Sequence, residues 1–299
     1  MKSMVHLAWL AALVLLAGPA AADQGPYPKT EEERQAAFDA LNWLSEPKDY
    51  SLNASHAHIQ LPPGKILLLG ADAERYSWLI SGTEFPGTEA VMSHESGESD
   101  VYYEWRDEGY IDDSDWSDVD GDELLAQYKE STAQANEERV ANGFEPMEVV
   151  GWLQPPTYDA ATRTVSYAIE LKDTDEHWAN VVALRLGRAG YAEMTWVGSI
   201  GMMQNSGGRP ALLKTALDVH AFDEGHRYAD FQDGDKVASY GIAGLVATAL
   251  GLKFGKGLIA ALIAFLVAGK KIVIPAALIG GGVIFAFVRK LFAGNRADS

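Results

Sequence analysis

The sequence predicts an α+β domain in which an antiparallel sheet is flanked by helices and followed by a C-terminal transmembrane helix. Three observations support this fold class. Apolar and polar residues alternate over residues 164–172, as they do in a half-buried antiparallel strand. Capped helices are indicated before and between the strand-like segments. The chain ends in long apolar runs, which are typical of a membrane anchor.

The N-terminus has the three parts of an export signal. Lys2 precedes an apolar run over residues 5–17, and a Gly-Pro pair and three alanines follow. This arrangement predicts a signal peptide over residues 1–22, with cleavage after Ala22. The alternative is an uncleaved signal anchor, which the helix-breaking Gly-Pro pair and the alanine triplet disfavour.

The segment from residue 23 to residue 236 is predicted to be an exported, acidic α+β domain. It contains 41 of the 42 acidic residues and 16 of the 24 basic ones, a formal charge of about −25. Such a surface repels nucleic acid, so no nucleic-acid partner is expected. It keeps the domain well solvated, and the alternative is that it collects cations. The chain has no cysteine, so the domain relies on its core without disulfides.

The first half of the domain is predicted to contain two helices and several short strands. Thr30 and Glu33 form a capping-box pattern that starts an amphipathic helix before Pro47. Asp120 and Glu123 start a second helix, which Asn142-Gly143 ends. The predicted strands lie at residues 56–61, 66–69, 76–80, 90–92 and 101–105.

The second half is predicted to contain a meander of about four strands. Turn signals at residues 155–159 and at Ala189-Gly190 separate strands at residues 147–153, 164–172, 178–188 and 191–200. A helix follows at residues 210–221, and a polar connector follows at residues 222–235. The tryptophans of the meander are expected in the core rather than on a ligand platform. They are Trp152, Trp178 and Trp196.

Charged residues near the end of the domain are expected to pair. Asp230 is within reach of Arg227, and Asp235 is within reach of Lys236. Exposed pairs of this kind contribute little stability, so we expect them to fix the connector in place.

Uncharged runs at residues 242–252, 257–269 and 272–288 predict the membrane part of the chain. The last run is the best span, because 17 helical residues rise ~25 Å and the flanking basic side chains can snorkel across the rest of a ~30 Å core. We expect residues 237–271 to form an amphipathic or partly inserted helical region. Residues 272–288 would then be the transmembrane helix, and residues 289–299 a short basic tail. The alternative is two crossings that turn at Lys270-Lys271.

Charge asymmetry sets the expected orientation and location. The positive-inside rule places Arg289 and Lys290 in the cytoplasm and the acidic domain in the periplasm, with the anchor in a bacterial inner membrane. The expected partners are membrane lipid, through the anchor, and an envelope protein. Small residues in the C-terminal region also allow helices of two protomers to pack closely in a homo-oligomer. They are Gly241, Gly244, Gly251, Gly255, Ala276 and Gly280.

Two histidines are the metal-binding candidates. His56 and His58 lie two residues apart on a predicted strand, which would present both imidazoles on one face, near carboxylates that can supply a third ligand. The simpler interpretation is a pair of surface histidines beside a turn. The pair His94-Glu95 does not start a zinc-protease helix, because Glu98 stands where the second histidine is needed.

Other catalytic patterns fail on single positions. Residues 112–123 are rich in carboxylates, but Trp116 and Gln127 occupy the first and last positions of an EF-hand loop aligned on its glycine. Ser199 does not lie in a G-x-S-x-G elbow, and Leu213 stands where a phosphate loop needs glycine. No catalytic residue and no cofactor are therefore predicted.

A set of sequence fragments occurs in an order that is typical of one family. The fragments are Gly109-Tyr110-Ile111-Asp112-Asp113, Asp122-Glu123-Leu124-Leu125, Asn136 with Arg139, Gly151-Trp152 with Pro156-Thr157-Tyr158-Asp159, Leu186-Gly187-Arg188-Ala189-Gly190, residues 225–231 (GHRYADF) and residues 235–241 (DKVASYG). On these fragments the chain resembles the bacterial membrane-anchored proteins of the domain of unknown function 2167 family, over most of residues 50–299. Ser81-Gly82-Thr83 departs from the family pattern, which has Gly-Asn-Pro. The resemblance implies an envelope location and an anchored architecture, and it implies no reaction.

The sequence therefore favours a non-enzymatic envelope protein that binds a partner or supports an assembly at the periplasmic face of the membrane. The alternative is a metal-assisted envelope hydrolase that uses His56, His58 and nearby carboxylates. A membrane-embedded transport or channel subunit is disfavoured, because the predicted span contains few polar groups and no acid.

Overall fold

A computed structural model of the chain describes residues 28–81, 85, 87–94, 100–141, 145–173, 177–205 and 207–252. The chain divides into a unit that ends at Lys253 and a second unit, Phe254–Ser299. All described residues belong to the first unit. The predicted signal peptide (1–22), the second part of the predicted amphipathic region (253–271), the transmembrane helix (272–288) and the basic tail (289–299) lie outside the described residues.

The described residues form ten β-strands and six α-helices. The helices are α1 (Glu31–Asp39), α2 (Ala71–Ser81), α3 (Gly121–Ala141), α4 (Ile200–Asn205), α5 (Gly208–Asp218) and α6 (Ile242–Ala249). The strands are β1 (Asp49–Leu52), β2 (Ala57–Gln60), β3 (Lys65–Leu69), β4 (Thr88–His94), β5 (Asp100–Arg106), β6 (Glu148–Asp159), β7 (Thr164–Lys172), β8 (His177–Leu186), β9 (Tyr191–Ser199) and β10 (His220–Phe222).

The strands form two antiparallel sheets. The large sheet has seven strands in the order β3-β4-β5-β9-β8-β7-β6, and the small sheet has three in the order β1-β2-β10. The predicted α+β class, with antiparallel sheets flanked by helices, is confirmed, and so is the meander from β6 to β9. The pairing of β5 with β9 joins this meander to β3-β4-β5, and it lies at the centre of the large sheet.

Side-chain alternation gives the large sheet two buried faces. On the first face, Val101, Tyr103, Met194 and Trp196 pack against the small sheet, α4 and α5 in one hydrophobic cluster. On the second face, α3 and α6 cover β6 to β9, and α2 covers β3 to β5. Because both faces are covered, the central strands are buried on both sides, which explains their nearly continuous apolar sequences.

The strongest local sequence signals give the predicted elements. The Thr30 hydroxyl accepts a hydrogen bond from the Glu33 N–H, and the Glu33 carboxylate accepts one from the Thr30 N–H, so the capping box that starts α1 is present. Asp120 Oδ1 accepts from the N–H groups of Asp122 and Glu123 at 2.9 and 3.0 Å, which caps α3 as predicted. Strand β7 has the bounds that its alternation predicts.

Residues 76–80 were predicted to form a strand, and this prediction is wrong. They belong to α2, in which Ala73, Ser77, Trp78 and Leu79 are buried. The acidic residues of the first turn favour a helix start, and burial at one-turn spacing fits a helix face. A short apolar run does not distinguish a strand from a helix. The prediction assumed the two-residue period of a strand, and the segment has the 3.6-residue period of a helix.

Two further boundaries differ from the prediction. Strand β6 continues through Pro155 and Pro156, because it is an edge strand with register shifts, where a missing N–H is tolerated. Helix α5 ends at Asp218, and residues 220 and 221, the end of the predicted helix, instead belong to β10, which pairs with β2.

The first apolar run of the C-terminal region lies in the core of the domain. Ile242, Leu245 and Val246 of α6 are fully buried among residues of α3, β7 and β8. Our sequence-based expectation placed this run at the membrane, because its composition alone does not distinguish a buried helix from an inserted one. No helix within the described part of the chain is long and apolar enough to span a membrane.

Candidate functional site

The two candidate metal ligands lie in different local structures. His58 is in β2, and its Nδ1 lies 2.9 Å from Asp223 Oδ1. His56 is in the turn before β2 with φ at 50°, and its ring stacks on His226 with centroids 3.9 Å apart. The alternation that would place both imidazoles on one face therefore does not extend to His56. The described residues contain no group of three His, Cys, Asp or Glu side chains arranged to hold a metal ion.

A polar cluster centred on Asp113 joins several distant segments, and we call it the Asp113 hub. Asp113 Oδ2 accepts hydrogen bonds from Tyr158 and Arg163, and Oδ1 accepts from the Tyr228 hydroxyl at 3.1 Å. The same hydroxyl also contacts the Ile111 carbonyl at 3.0 Å. The Arg163 guanidinium lies 4.9 Å from the centre of the Tyr228 ring, a cation–π distance.

The electrostatics of the hub keep its groups in their ordinary charge states. Burial alone would raise the pKa of Asp113, but hydrogen bonds from Tyr158 and Tyr228 and the charge of Arg163 together lower it. Burial and the bond to Asp113 raise the pKa of Tyr158 to about 12. Burial also raises the pKa of Tyr228. At neutral pH the carboxylate therefore accepts hydrogen bonds and the phenols donate them.

An aromatic stack and a backbone pairing extend the hub to the C-terminal segment. Tyr110 stacks on Tyr228 at 4.5 Å and lies 4.1 Å from Phe231. The Tyr110 N–H donates to the Lys236 carbonyl and its carbonyl accepts from Ala238, both at 2.8 Å. Before Tyr110 stands a glycine with φ at +93°, and a Cβ there would lie 2.9 Å from the backbone of residues 236–238. Glycine is required at this crossing.

The ion pairs around the connector differ in part from the prediction. Arg227 pairs with Asp230 at 3.1 Å, as predicted. Asp235 instead binds Arg188 through two hydrogen bonds of 2.7 and 2.8 Å, and Lys236 pairs with Asp107. The bidentate arginine pair and the Gln232 N–H lower the pKa of Asp235 to about 2.

The start of α6 is fixed by a second carboxylate. Asp115 accepts from the Ala243 N–H at 3.4 Å, and the Ile242 N–H donates to the Asp112 carbonyl at 2.9 Å. The carboxyl group of Asp115 occupies the space that a Cβ on Gly241 would need. The start of α6 and the acidic loop before α3 (residues 112–120) are therefore complementary in shape and in hydrogen bonding.

Five of the seven fragments that carried the sequence resemblance thus meet, in whole or in part, in one place. Residues 109–113, Tyr158, residues 186–190, residues 225–231 and residues 235–241 all contribute to the hub or its extensions. A family model for proteins of unknown function, DUF2167, matches residues 45–280. The chain belongs to the DUF2167 family. Its sequence resemblance is confirmed.

Other comparisons add little to this assignment. No protein with curated annotation matches this DUF2167 protein significantly. Among solved structures, it is similar to the solution structure of cyanobacterial PsbP (CyanoP) from Synechocystis sp. PCC 6803. The identity is 11%, the match covers 60% of this chain and 94% of that chain, and the TM-score is 0.37.

An open groove of about 500 Å³ lies between α3 and the start of β6 in this DUF2167 protein. Asn136 fixes its geometry, because its amide binds both the N–H and the carbonyl of Met147 at 2.9 and 2.8 Å. These two hydrogen bonds satisfy the main-chain N–H and carbonyl of Met147, as pairing with a neighbouring strand would. Mixed polar, charged and apolar side chains line the groove. They include Lys129, Thr132, Ala133, Val149, Lys172 and Asp173.

Sequence reasoning missed the most deeply buried charged residues. Glu104 of β5 and Glu193 of β9 lie directly opposite each other and are 7% and 2% exposed. Each acid stands between apolar or aromatic neighbours in its strand, Glu104 between Tyr103 and Trp105 and Glu193 between Ala192 and Met194, and this is the signal that identifies them. Arg163 and Arg188 were also missed, because their partners lie 50 and 47 residues away.

Proposed function

We propose that this protein is a non-enzymatic binding or scaffold protein of the bacterial envelope, attached to the inner membrane through its C-terminal segment. One observation carries this proposal. Most of the family fragments contact one another in the Asp113 hub and its extensions, where they hold residues 235–252 against the rest of the domain. Residues that hold a chain segment in this way stabilise the attachment of a domain to its anchor. They do not form a reactive centre.

The charge states of the hub support a structural role. An enzyme site needs a group whose pKa is matched to proton transfer or nucleophilic attack. In the hub, the carboxylates Asp113 and Asp235 have lowered pKa values, and the phenol of Tyr158 has a raised one. These shifts favour hydrogen-bonded ion pairs that persist across the physiological pH range.

The alternative of a metal-assisted hydrolase has less support from the geometry. His58 is engaged with Asp223, and His56 is engaged with His226. A catalytic zinc site takes three protein ligands and one open position. The described residues do not bring a third ligand to either histidine.

The groove between α3 and β6 is the surface that we assign to a protein partner. Its volume suits the insertion of one or two side chains. Two lining residues are bonded to each other, because the Asn136 amide binds both the N–H and the carbonyl of Met147. A preformed groove of this kind lowers the entropy lost on binding.

Site-specific photo-crosslinking in living cells tests this assignment. A photoreactive residue at Ala133, inside the groove, is compared with one at Gln134, which is also exposed on α3 and does not line the groove. We expect one envelope protein to be crosslinked from position 133 and not from position 134. The purified partner should bind the full-length protein and lose binding to Ala133→Trp, while Gln134→Trp retains it. Equal crosslinking from both positions, or equal binding by both variants, would contradict the assignment.

A further inference from the structure

Two buried carboxyl groups meet at the centre of the large sheet. Glu104 and Glu193 are paired residues of β5 and β9, so their side chains leave the same face of the sheet as direct neighbours. Glu104 lies two residues from Tyr102 of the α2-covered cluster, and Glu193 lies two residues from Tyr191 of the cluster under α3 and α6. The pair therefore stands where the two hydrophobic clusters meet.

The positive charge of one arginine, Arg106, acts on both carboxyl groups. Arg106 forms an ion pair with Glu104, and its positive charge also acts on Glu193. When both carboxyls are ionised, this buried group carries a net charge of −1. Like charges in direct contact and out of water repel strongly, and a single cation cannot neutralise two anions.

Among the described residues, the other titratable groups that act on the pair or on Arg106 supply no positive charge. Glu108 lies near Arg106 and adds a negative charge. The nearby phenols have pKa values raised by burial, and they remain neutral. The phenols are Tyr102 of β5, Tyr167 of β7, Tyr191 of β9 and Tyr240 before α6, and Tyr128 of α3 lies beside Tyr167.

We propose that Glu104 and Glu193 form a proton-responsive element that tightens the packing of the domain as the pH falls and loosens it as the pH rises. One shared proton removes the excess negative charge and lets both carboxyl groups stay buried. Loss of that proton leaves the central face of the sheet with an uncompensated charge. A domain that faces the outside of a cell would then change its stability with the pH of its surroundings.

The direction of the effect follows from the proton affinity of the pair. Burial, followed by the neighbouring Glu104, raises the pKa of Glu193 from 4.5 to about 7, while Arg106 opposes the increase. Burial also raises the pKa of Glu104. The folded state therefore binds the proton more tightly than the unfolded state does. The stabilisation is complete below about pH 4.5 and is lost as the pH rises through about 7.

Another buried group acts in the opposite direction. Burial, with the charge of Arg185, lowers the pKa of His220 to about 3. Its contribution to stability is present above the ordinary histidine pKa of 6.5 and is lost as the pH falls toward 3. The two effects offset each other over part of the range. The carboxyl pair must therefore be measured as a difference between variants.

The test compares the full-length protein with Glu193→Gln by urea unfolding between pH 5 and pH 8. Glutamine has the shape of a protonated glutamic acid, so the two proteins should have similar unfolding constants near pH 5. At pH 8 the wild type should unfold more easily, with an unfolding constant roughly one to two orders of magnitude above that of the variant. Glu148→Gln, at an exposed position of β6, should show no such pH-dependent difference.

A second variant tests the same pair independently. In Glu104→Gln, Glu193 has Arg106 to itself, so its carboxylate is compensated and the pH-dependent loss of stability above pH 6 should disappear. Hydrogen exchange of the β5 and β9 amides, corrected for intrinsic rates, should show the same pattern. A wild type and variants that keep a constant ratio of unfolding constants from pH 5 to pH 8 would overturn the proposal.

Discussion

Asp113 stabilises the domain as a charged acceptor rather than as a reactive group. Its two carboxylate oxygens receive donors from residues that are 45, 50 and 115 positions away in sequence. Each bond closes a long loop, and the bonds to a charged acceptor are stronger than those between neutral groups. The residue therefore links β6, β7 and the connector to the acidic loop.

Replacement of this acceptor should lower stability without changing the shape of the side chain. We expect Asp113→Asn to reduce the free energy of unfolding at pH 7 by about 2 kcal/mol, because bonds to a charged group are lost. Tyr228→Phe should reduce it by about 1 kcal/mol. Urea unfolding measures both values. Asp233→Asn, at an exposed position, is the control.

The difference in stability between the wild type and Asp113→Asn should depend on pH. The pKa of Asp113 is lowered in the folded state, so its stabilisation is present above its ordinary pKa of 3.8 and is lost as the pH falls. The wild type and Asp113→Asn should therefore become equally stable in acid. A difference in the free energy of unfolding that persists at pH 2 would show that the charge of Asp113 is not the cause of the destabilisation.

His220 is a buried polar residue of a different kind. It is 2% exposed, and neither ring nitrogen has a hydrogen-bond partner among the described residues. Its ring lies parallel to Tyr103 with centroids 6.1 Å apart. An unsatisfied buried polar group destabilises a fold by about 1 to 3 kcal/mol.

An apolar side chain at this position should stabilise the domain. We expect His220→Leu to raise the free energy of unfolding by about 1 kcal/mol at pH 7, since the unsatisfied nitrogens are removed and most of the volume is kept. The gain should grow at pH 4.5, where the unfolded wild type binds a proton that the folded state excludes. Thermal unfolding at both pH values measures it. A loss of stability at both would show that the imidazole is bonded in solution.

At the scale of the elements, α6 and the acidic loop before α3 form one structural unit. Gly241 precedes α6 and leaves space for the carboxylate of Asp115, which caps the helix. Ile242, Leu245 and Val246 then bury one side of α6. The helix is therefore fixed at its start by hydrogen bonds and along its length by packing.

A double-mutant cycle tests the fit between this glycine and its partner. Gly241→Ala should destabilise the wild type by about 1 to 3 kcal/mol, because the added methyl overlaps Asp115. In the Asp115→Ala background the same change should have little effect. The unfolding free energies of the four proteins give the coupling. Gly151→Ala, where a Cβ meets no atom within 4 Å, is the matched control, and additive effects at 241 and 115 would refute the fit.

Local signals in the sequence predicted elements whose determinants are close together in the chain. Thr30 with Glu33, Asp120 with its helix, and the alternation over residues 164–172 each lie within one element, and all appear in the structure. The prediction for residues 76–80 failed because so short a segment fits both the period of a strand and the period of a helix.

Long-range contacts explain what the sequence did not predict. Glu193 lies 89 positions after Glu104 in the sequence, and the two residues pair only because the fold places β5 beside β9. The Asp113 hub requires five segments to meet. The fragments of the hub were visible in the sequence, but their common location was not. Only the topology of the sheet brings them together.

At the scale of the whole molecule, the hub places the boundary of the domain after α6. The described core includes Leu250 and Leu252, and the first structural unit ends at Lys253. The predicted membrane-spanning residues 272–288 follow that boundary. We therefore place residues 237–252 in the folded domain, and the proposed membrane attachment begins at residue 253.

A comparison of the full-length protein with a chain that ends at Leu252 tests this central claim most directly. Both chains keep residues 1–22, the predicted export signal. Cells that express each chain are fractionated, and the thermal unfolding of each chain is then measured. We expect the shortened chain to leave the membrane fraction and to keep the melting temperature of the full-length domain. A shortened chain that stays with the membrane would contradict the assigned anchor, and one that fails to fold would contradict the assigned boundary.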